Sequence, residues 1–248
     1  LNANVTYYIP ERQSEGYGLN LEALEYLISK KTDLIISVDC GISSYDIVEA
    51  VRDRVSMIIT DHHTAPPKIP RATAVVNHKQ PDCPYTDKNL SGVGVAFKVC
   101  QALWKRRTGE EYREDLDIVA LGTVADVVPL VGENRIIVRE GLRKMTESPN
   151  VGIQSLVQVA GLEGKALSAG HIGFTLAPRL NAEGRVAHAT RAVELLITAD
   201  PSEAIEIAEE LQETNTERQQ IERAIFEEAY QSVLAQGTLA DQCIVVAG

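Results

Sequence analysis

The sequence predicts an α/β fold: a doubly wound, mainly parallel sheet with an added helical region and a long connecting helix. Three observations carry this expectation. Leu34 to Val38 and Val55 to Ile59 are short apolar runs rich in β-branched residues, ending near Asp39 and Asp61. Between them, Ser43 to Arg54 carries Ile47, Val48 and Val51 at helical spacing behind a Ser-Ser start, which reads as strand, helix, strand. Far downstream, Asp200-Pro201-Ser202-Glu203 is a helix cap, and no breaker follows until Gly237.

A strand-helix-strand unit of this length closes right-handed with parallel strands about 4.8 Å apart when they are neighbours. Asp39 and Asp61-His62-His63 then emerge together at the carboxyl edge of the sheet, where open α/β sheets bind ligands. Asp39 alone also suits a helix cap or a ribose ligand. Three adjacent metal-competent residues after a buried strand have no packing rationale. Carboxylates crowded together call for a counter-cation, and mixed oxygen and imidazole donors favour a transition metal such as Mn²⁺ over Mg²⁺.

Before this unit, Val5 to Ile9 reads as a strand, Pro10 to Gly18 as a polar loop and Leu21 to Lys30 as a helix. After it come a proline-rich loop, Thr64 to Arg71, and a third strand, Ala74 to Asn77, ending in Asn77-His78. Ser91, Gly92 and Gly94 stand at the mouth of an amphipathic helix running to Arg107, where bare N–H groups suit an anion and small residues equally suit close packing. Glu114 to Leu121 is a further helix leading to Asp126, a cap or a ligand between apolar neighbours. Asn134 to Glu147 and Val151 to Val159 complete the helical region.

Phe174 to Arg185 contains Pro178 and Gly184 and reads as a loop that presents Arg179 and Arg185, either to phosphates or to Glu183 and Glu194. The helix from Pro201 should extend roughly 50 Å. Its polar middle, Gln212 to Gln220, reads as solvated, as in a helix bridging two bodies. The expected organisation is a catalytic domain over 1–199, an interdomain helix over 200–236 and the start of another domain over 237–248.

The net charge of −11 argues against an all-over basic nucleic-acid binder, but not against bound cations and a local arginine patch holding phosphates. Cys40, Cys83, Cys100 and Cys243 form no CxxC pair and read as core or near-core residues. No apolar run approaches a membrane span and no signal peptide opens the chain, so the cytoplasm is the expected compartment. An opening Leu1 and a closing CIVVAG suggest an internal piece of a longer protein.

SVDCG at 37–41, TDHH at 60–63, SGVGVAFK at 91–98 and LGTVADVVPL at 121–130 together resemble successive motifs of the DHH phosphoesterases. With YYIPERQSEGYGLN at 7–20 and APRLNAEGR at 177–185, the resemblance points to the bacterial RecJ branch. It implies a Mn²⁺-dependent exonuclease that degrades single-stranded DNA from its 5′ end in recombination and repair, with two Mn²⁺ ions in the complete enzyme and Mg²⁺ as the alternative metal. Asp39 would be the carboxylate shared by the metals, and His62 and Asp126 further ligands. Asp61 would orient the histidines and His63 would face the scissile phosphate.

Arg179, Asn181 and Arg185, with Ser91, Gly92 and Gly94, would contact the substrate. Single-strand-binding protein and a RecQ-type helicase are the implied protein partners, with a monomer as the full-length state and no membrane. The family's Asp-x-Asp motif and its carboxyl-terminal domain are not found in this sequence, so the piece is expected to fold yet hydrolyse DNA poorly. Rival readings are a DHH phosphodiesterase for short oligonucleotides or cyclic dinucleotides, or for pyrophosphate, and a non-catalytic replication scaffold. A nicotinamide-binding domain is disfavoured because no Gly-x-Gly-x-x-Gly follows the first strand.

Overall fold

The computed structural model describes residues 3–11, 15–186, 190–236 and 244–245, leaving out the side chains of 183–186 and 236. Three parallel strands, β1 (Leu34–Val38), β2 (Ser56–Thr60) and β3 (Ala74–Val76), form a sheet in the order β1-β2-β3. Val38, Thr60 and Val76 share one row of the register. The next residue of each strand, Asp39, Asp61 and Asn77, therefore reaches the carboxyl edge beside the other two. The ladder continues past the strands, with Asp39 N–H donating to Thr60 O at 2.9 Å and Asp61 N–H to Val76 O at 3.1 Å.

Helices α1 (Leu21–Ser29) and α2 (Tyr45–Val51) cover one face of the sheet through a core of Leu24, Ile35, Val48, Val51, Met57 and Ile59. Asn20 starts α1 by accepting the Ala23 N–H at 2.7 Å, as an N-cap should. The strand expected at Val5 to Ile9 does not form: residues 3–11 have no regular structure and Val5 is exposed. A strand exists only by pairing with a neighbouring backbone, and no described strand lies beside this segment. Among the described residues strand β1 is accordingly an edge of the sheet, and Leu34, Ile36 and Val38 on its other face are exposed.

The second half is helical. Helices α3 (Gly92–Thr108), α4 (Leu116–Ala125) and α5 (Gly132–Met145) enclose Leu90, Val95, Phe97, Val119 and Ile137. Helix α5 approaches α4 so closely that a Cβ on Gly141 would overlap the Leu116 carbonyl and the Ala120 side chain. Next come α6 (Val151–Val159), the single turn α7 (Ala169–His171), a π turn (Ile172–Leu176), α8 (Ala177–Val186), α9 (Thr190–Ile197) and α10 (Pro201–Gln236). Leu156, Ile172, Leu176, Leu195, Ile207 and Leu211 form their common core. The Asn150 side chain joins two of these helices, accepting the Ile153 N–H and donating to Leu196 O.

Two sequence expectations are corrected here. The loop expected over Phe174 to Arg185 is a helix entered through the π turn, with Ala177 N–H bonded to Ile172 O. Pro178 lies where the hydrogen-bond register changes, so its missing N–H interrupts no regular α ladder. Gly184 is tolerated inside α8 at about 1 kcal/mol relative to alanine. The middle of α10 is also less solvated than its polarity suggests: Asn215 is buried, Gln212 receives Arg179 Nε–H at 2.7 Å and donates to Thr216, and Arg218 donates to Asn215. Polar residues satisfying one another form this seam, and exposure begins beyond Arg218, where Ile221, Ile225, Phe226 and Tyr230 face outward. No helix among the described residues is long and apolar enough to cross a membrane.

Leu156 is fully buried at the centre of the helical core. Leu156→Ala should lower unfolding free energy by about 2–5 kcal/mol in urea titrations, whereas Ile225→Ser on the exposed half of α10 should change it by less than about 0.5 kcal/mol.

Candidate metal centre

The carboxyl edge is built around Asp61, whose side chain is 1% exposed. Its Oδ2 accepts the Ile42 N–H at 2.9 Å, and its Oδ1 accepts the N–H groups of His62 at 2.7 Å and His63 at 3.1 Å. Oδ1 also lies 2.7 Å from His63 Nδ1. Burial alone would push this carboxyl up, but the backbone N–H groups of Ile42, His63 and His62 and the His63 ring outweigh it and hold Asp61 below the usual carboxylate range. Asp61 therefore stays ionised and fixes the loops after both β1 and β2.

Three further groups converge beside it. Asp39 Oδ1 lies 3.0 Å from His62 Nε2, and Asp126 Oδ2 lies 3.4 Å from the same nitrogen. Asp39, His62 and His63 each offer one ligand atom within 4.8 Å of the others. Asp39 has a left-handed backbone, φ 63°, a conformation that aspartate tolerates better than most residues. Gly92, the first residue of α3, makes room for it: a Cβ there would overlap the Asp39 carboxylate. Asp126 caps the carboxyl end of α4, where its charge opposes the helix dipole.

The electrostatics favour a cation. The Asp39 carboxylate pushes His62 up against the opposing effect of burial, and burial followed by Asp39 raises Asp126, although the histidines lower it. His62 is buried, yet neither ring nitrogen makes a hydrogen bond of ordinary geometry. An imidazole with unsatisfied nitrogens facing two carboxylates fits a divalent metal with mixed nitrogen and oxygen ligands. Asp39, His62 and His63 form the group that could hold an ion, and Asp126 joins it through its approach to His62 Nε2; Asp61 is committed to backbone N–H groups. Cys40 nearby remains a thiol, pushed up to about 11 by burial and then by Asp61 and Asp39.

The remaining sequence candidates occupy several environments. The Ser91 hydroxyl caps α3 through the Gly94 N–H at 3.2 Å and lies 3.0 Å from Thr123 Oγ1, so it joins α3 to α4. Gly94 lies against Ser91 and Leu90. Arg179 points to α10, donating to Gln212 and to the Thr175 carbonyl, and Glu194 pairs with Arg191 instead. Asn181 is exposed on α8. The Arg185 side chain lies outside the described residues, as does Cys243. Sequence reasoning missed the segment after β3: Asn77 and His78 are buried, and Asn77 Nδ2 donates to His63 O at 2.9 Å. Asn-His-Lys at a strand's carboxyl end carried the same signal as Asp-His-His at its neighbour.

The fold and this edge define a DHH-type site, and comparison with known proteins agrees. Residues 1–123 match the model of the DHH family, N-terminal domain, and the chain belongs to that family, in its RecJ branch. It is 42% identical over 248 residues to the single-stranded-DNA-specific exonuclease RecJ of Bacillus subtilis (strain 168), covering all of this chain and 31% of that protein. The chain thus spans about a third of this relative.

A crystal structure of exonuclease RecJ bound to manganese superposes with a TM-score of 0.82 at 36% identity, covering 89% of this chain and 56% of that one. The structure of RecJ in complex with Mn²⁺ from Thermus thermophilus gives 0.76 at 36% identity, covering 84% and 31%.

In metal-free buffer, Asp61→Ala should cost about 3 kcal/mol or more by leaving buried N–H groups unpaired. Asp126→Asn should be neutral or slightly stabilising, because it removes a carboxylate from beside Asp39 and from a helix carboxyl end. Urea unfolding in EDTA checks the contrast; equal losses would contradict this division of labour.

Proposed function

We propose that the chain carries the catalytic centre of a metal-dependent 5′-to-3′ exonuclease for single-stranded DNA, acting in recombination and repair. The observation that carries this reading is the approach of two carboxylates, Asp39 at 3.0 Å and Asp126 at 3.4 Å, to the unsatisfied Nε2 of the buried His62. Membership of the DHH family and the Mn²⁺ in solved relatives support it.

In this reading Asp39, His62 and Asp126 would hold divalent metal from the ends of β1, β2 and α4. Bound divalent ions supply Lewis-acid activation of water and stabilise charge on the attacking and leaving oxygens. The residues of the chain position and exclude. Asp61 takes His63 Nδ1 and leaves the rest of that largely exposed ring to face the scissile phosphate. Gly92 admits the Asp39 carboxylate, and Ser91 fixes the α3 N-terminus against α4 for the substrate side. Arg179, Asn181 and Arg185 contact phosphates from α8, Arg179 after exchanging a partner on α10.

We further assign residues 1–199 to the catalytic domain and α10 to a strap beneath which the DNA strand runs; the expectation for 237–248 lies, but for 244–245, outside the described residues. The site takes Mn²⁺, with Mg²⁺ as a substitute. Single-strand-binding protein and a RecQ-type helicase are the protein partners, the full-length protein is a monomer, and it works in the cytoplasm.

Mn²⁺ titration followed by the electron paramagnetic resonance of free ion should show binding that weakens at least about tenfold in Asp39→Ala, His62→Ala and Gly92→Ala, the last through displacement of Asp39. With Mn²⁺ bound, the chain should retain single-stranded DNA in preference to duplex. Hydrolysis, measured at high protein concentration beside the B. subtilis RecJ, should be slow and begin at the 5′ end. Equal retention of duplex, or release from the 3′ end, would overturn the reading.

A further inference from the structure

Strand β3 ends in the same register row as β2, so Asn77, His78 and Lys79 leave the sheet beside Asp61, His62 and His63. The buried amide of Asn77 links the two segments: Nδ2 donates to His63 O at 2.9 Å, and Oδ1 accepts the Lys79 N–H at 2.7 Å. Lys79 is held half-buried at this edge by that bridge.

Among the described residues, no carboxylate forms an ion pair with Lys79. Lys68, Lys98, Lys105 and Lys144 each have one, Lys88 and Lys165 donate to backbone carbonyls, and Lys30 and Lys31, which lack one too, are exposed where Lys79 is half-buried. A half-buried lysine on the sheet edge that also carries Asp39 and Asp61, in a chain of net charge −11 and without an acidic partner among the described residues, is positioned for an anion that comes from outside. We propose that Lys79 is a phosphate-binding residue of this site, holding a phosphate oxygen of the DNA strand from the β3 side while His63 faces the same group from β2. This rests on the nuclease reading and adds a residue to it. Lysine suits the role as a point charge on a flexible stem, adapting to a phosphate without the fixed fork of arginine.

The test is fluorescence anisotropy with a 5′-phosphorylated oligothymidylate made resistant by phosphorothioate linkages, in Mn²⁺, over a series of KCl concentrations. Lys79→Ala should weaken binding about tenfold and make the log–log salt slope shallower by about 0.7, the value for one phosphate contact on a single strand. Lys79→Arg should keep the slope. A neutral methylphosphonate at the contacted phosphate should weaken the unmodified protein and not Lys79→Ala. An unchanged slope in Lys79→Ala, with the unmodified protein binding, would overturn this assignment alone and leave Lys79 offsetting Asp39 and Asp126. Failure of the unmodified protein to bind the oligonucleotide would overturn the nuclease reading and this assignment with it.

Discussion

The hydrogen bonds accepted by the buried Asp61 carboxylate hold the functional edge in place. One side chain takes up the N–H of Ile42 from the loop after β1 and those of His62 and His63 after β2, so two loops share one anchor. Removing water from a carboxylate is costly, and only such dense donation keeps it ionised there. The order of the edge follows from it. With the backbone of 61–63 fixed, the His62 ring points toward Asp39 and Asp126, and the His63 ring turns outward with Nδ1 against Asp61.

The helical half serves this edge from behind. Helix α4 delivers Asp126 at its carboxyl end and is held against α5 by the close approach at Gly141, and against α3 by the Ser91 to Thr123 contact. Helix α3 in turn brings Gly92 up to Asp39. Asp126 thus reaches His62 through a chain of packed helices rather than through a neighbouring strand, and small residues set the distances. Two left-handed non-glycine residues, Asp39 and Val127, flank the cluster; for a β-branched valine this conformation is unusual and places local strain directly beside Asp126.

Arg179 and α10 show how polar groups hold the far side together. The guanidinium is half-buried between α8 and the polar seam of α10, and burial lowers its pKa. Among the described residues its partners are a glutamine and a carbonyl rather than a carboxylate. Neutral acceptors thus fix the direction of its planar fork.

The sequence by itself determined the strand-helix-strand unit, the long helix and the gathering of Asp39, His62 and His63. Register follows from a period-2 pattern and parallel pairing, and both are local properties of Leu34 to His63. The length of α10 was legible because capping and the absence of breakers are also local. Tertiary structure alone decided what depended on partners distant in sequence. Val5 to Ile9 has strand-like residues and no neighbouring strand, and Phe174 to Arg185 has helix breakers that a π turn accommodates. Gln212 to Arg218 is polar but packed, because its partners arrive from α8 and from its own next turn. Asn77 and Lys79 gained significance only when the sheet register set β3 beside β2, since a side chain's role at an edge depends on what the adjacent strand presents.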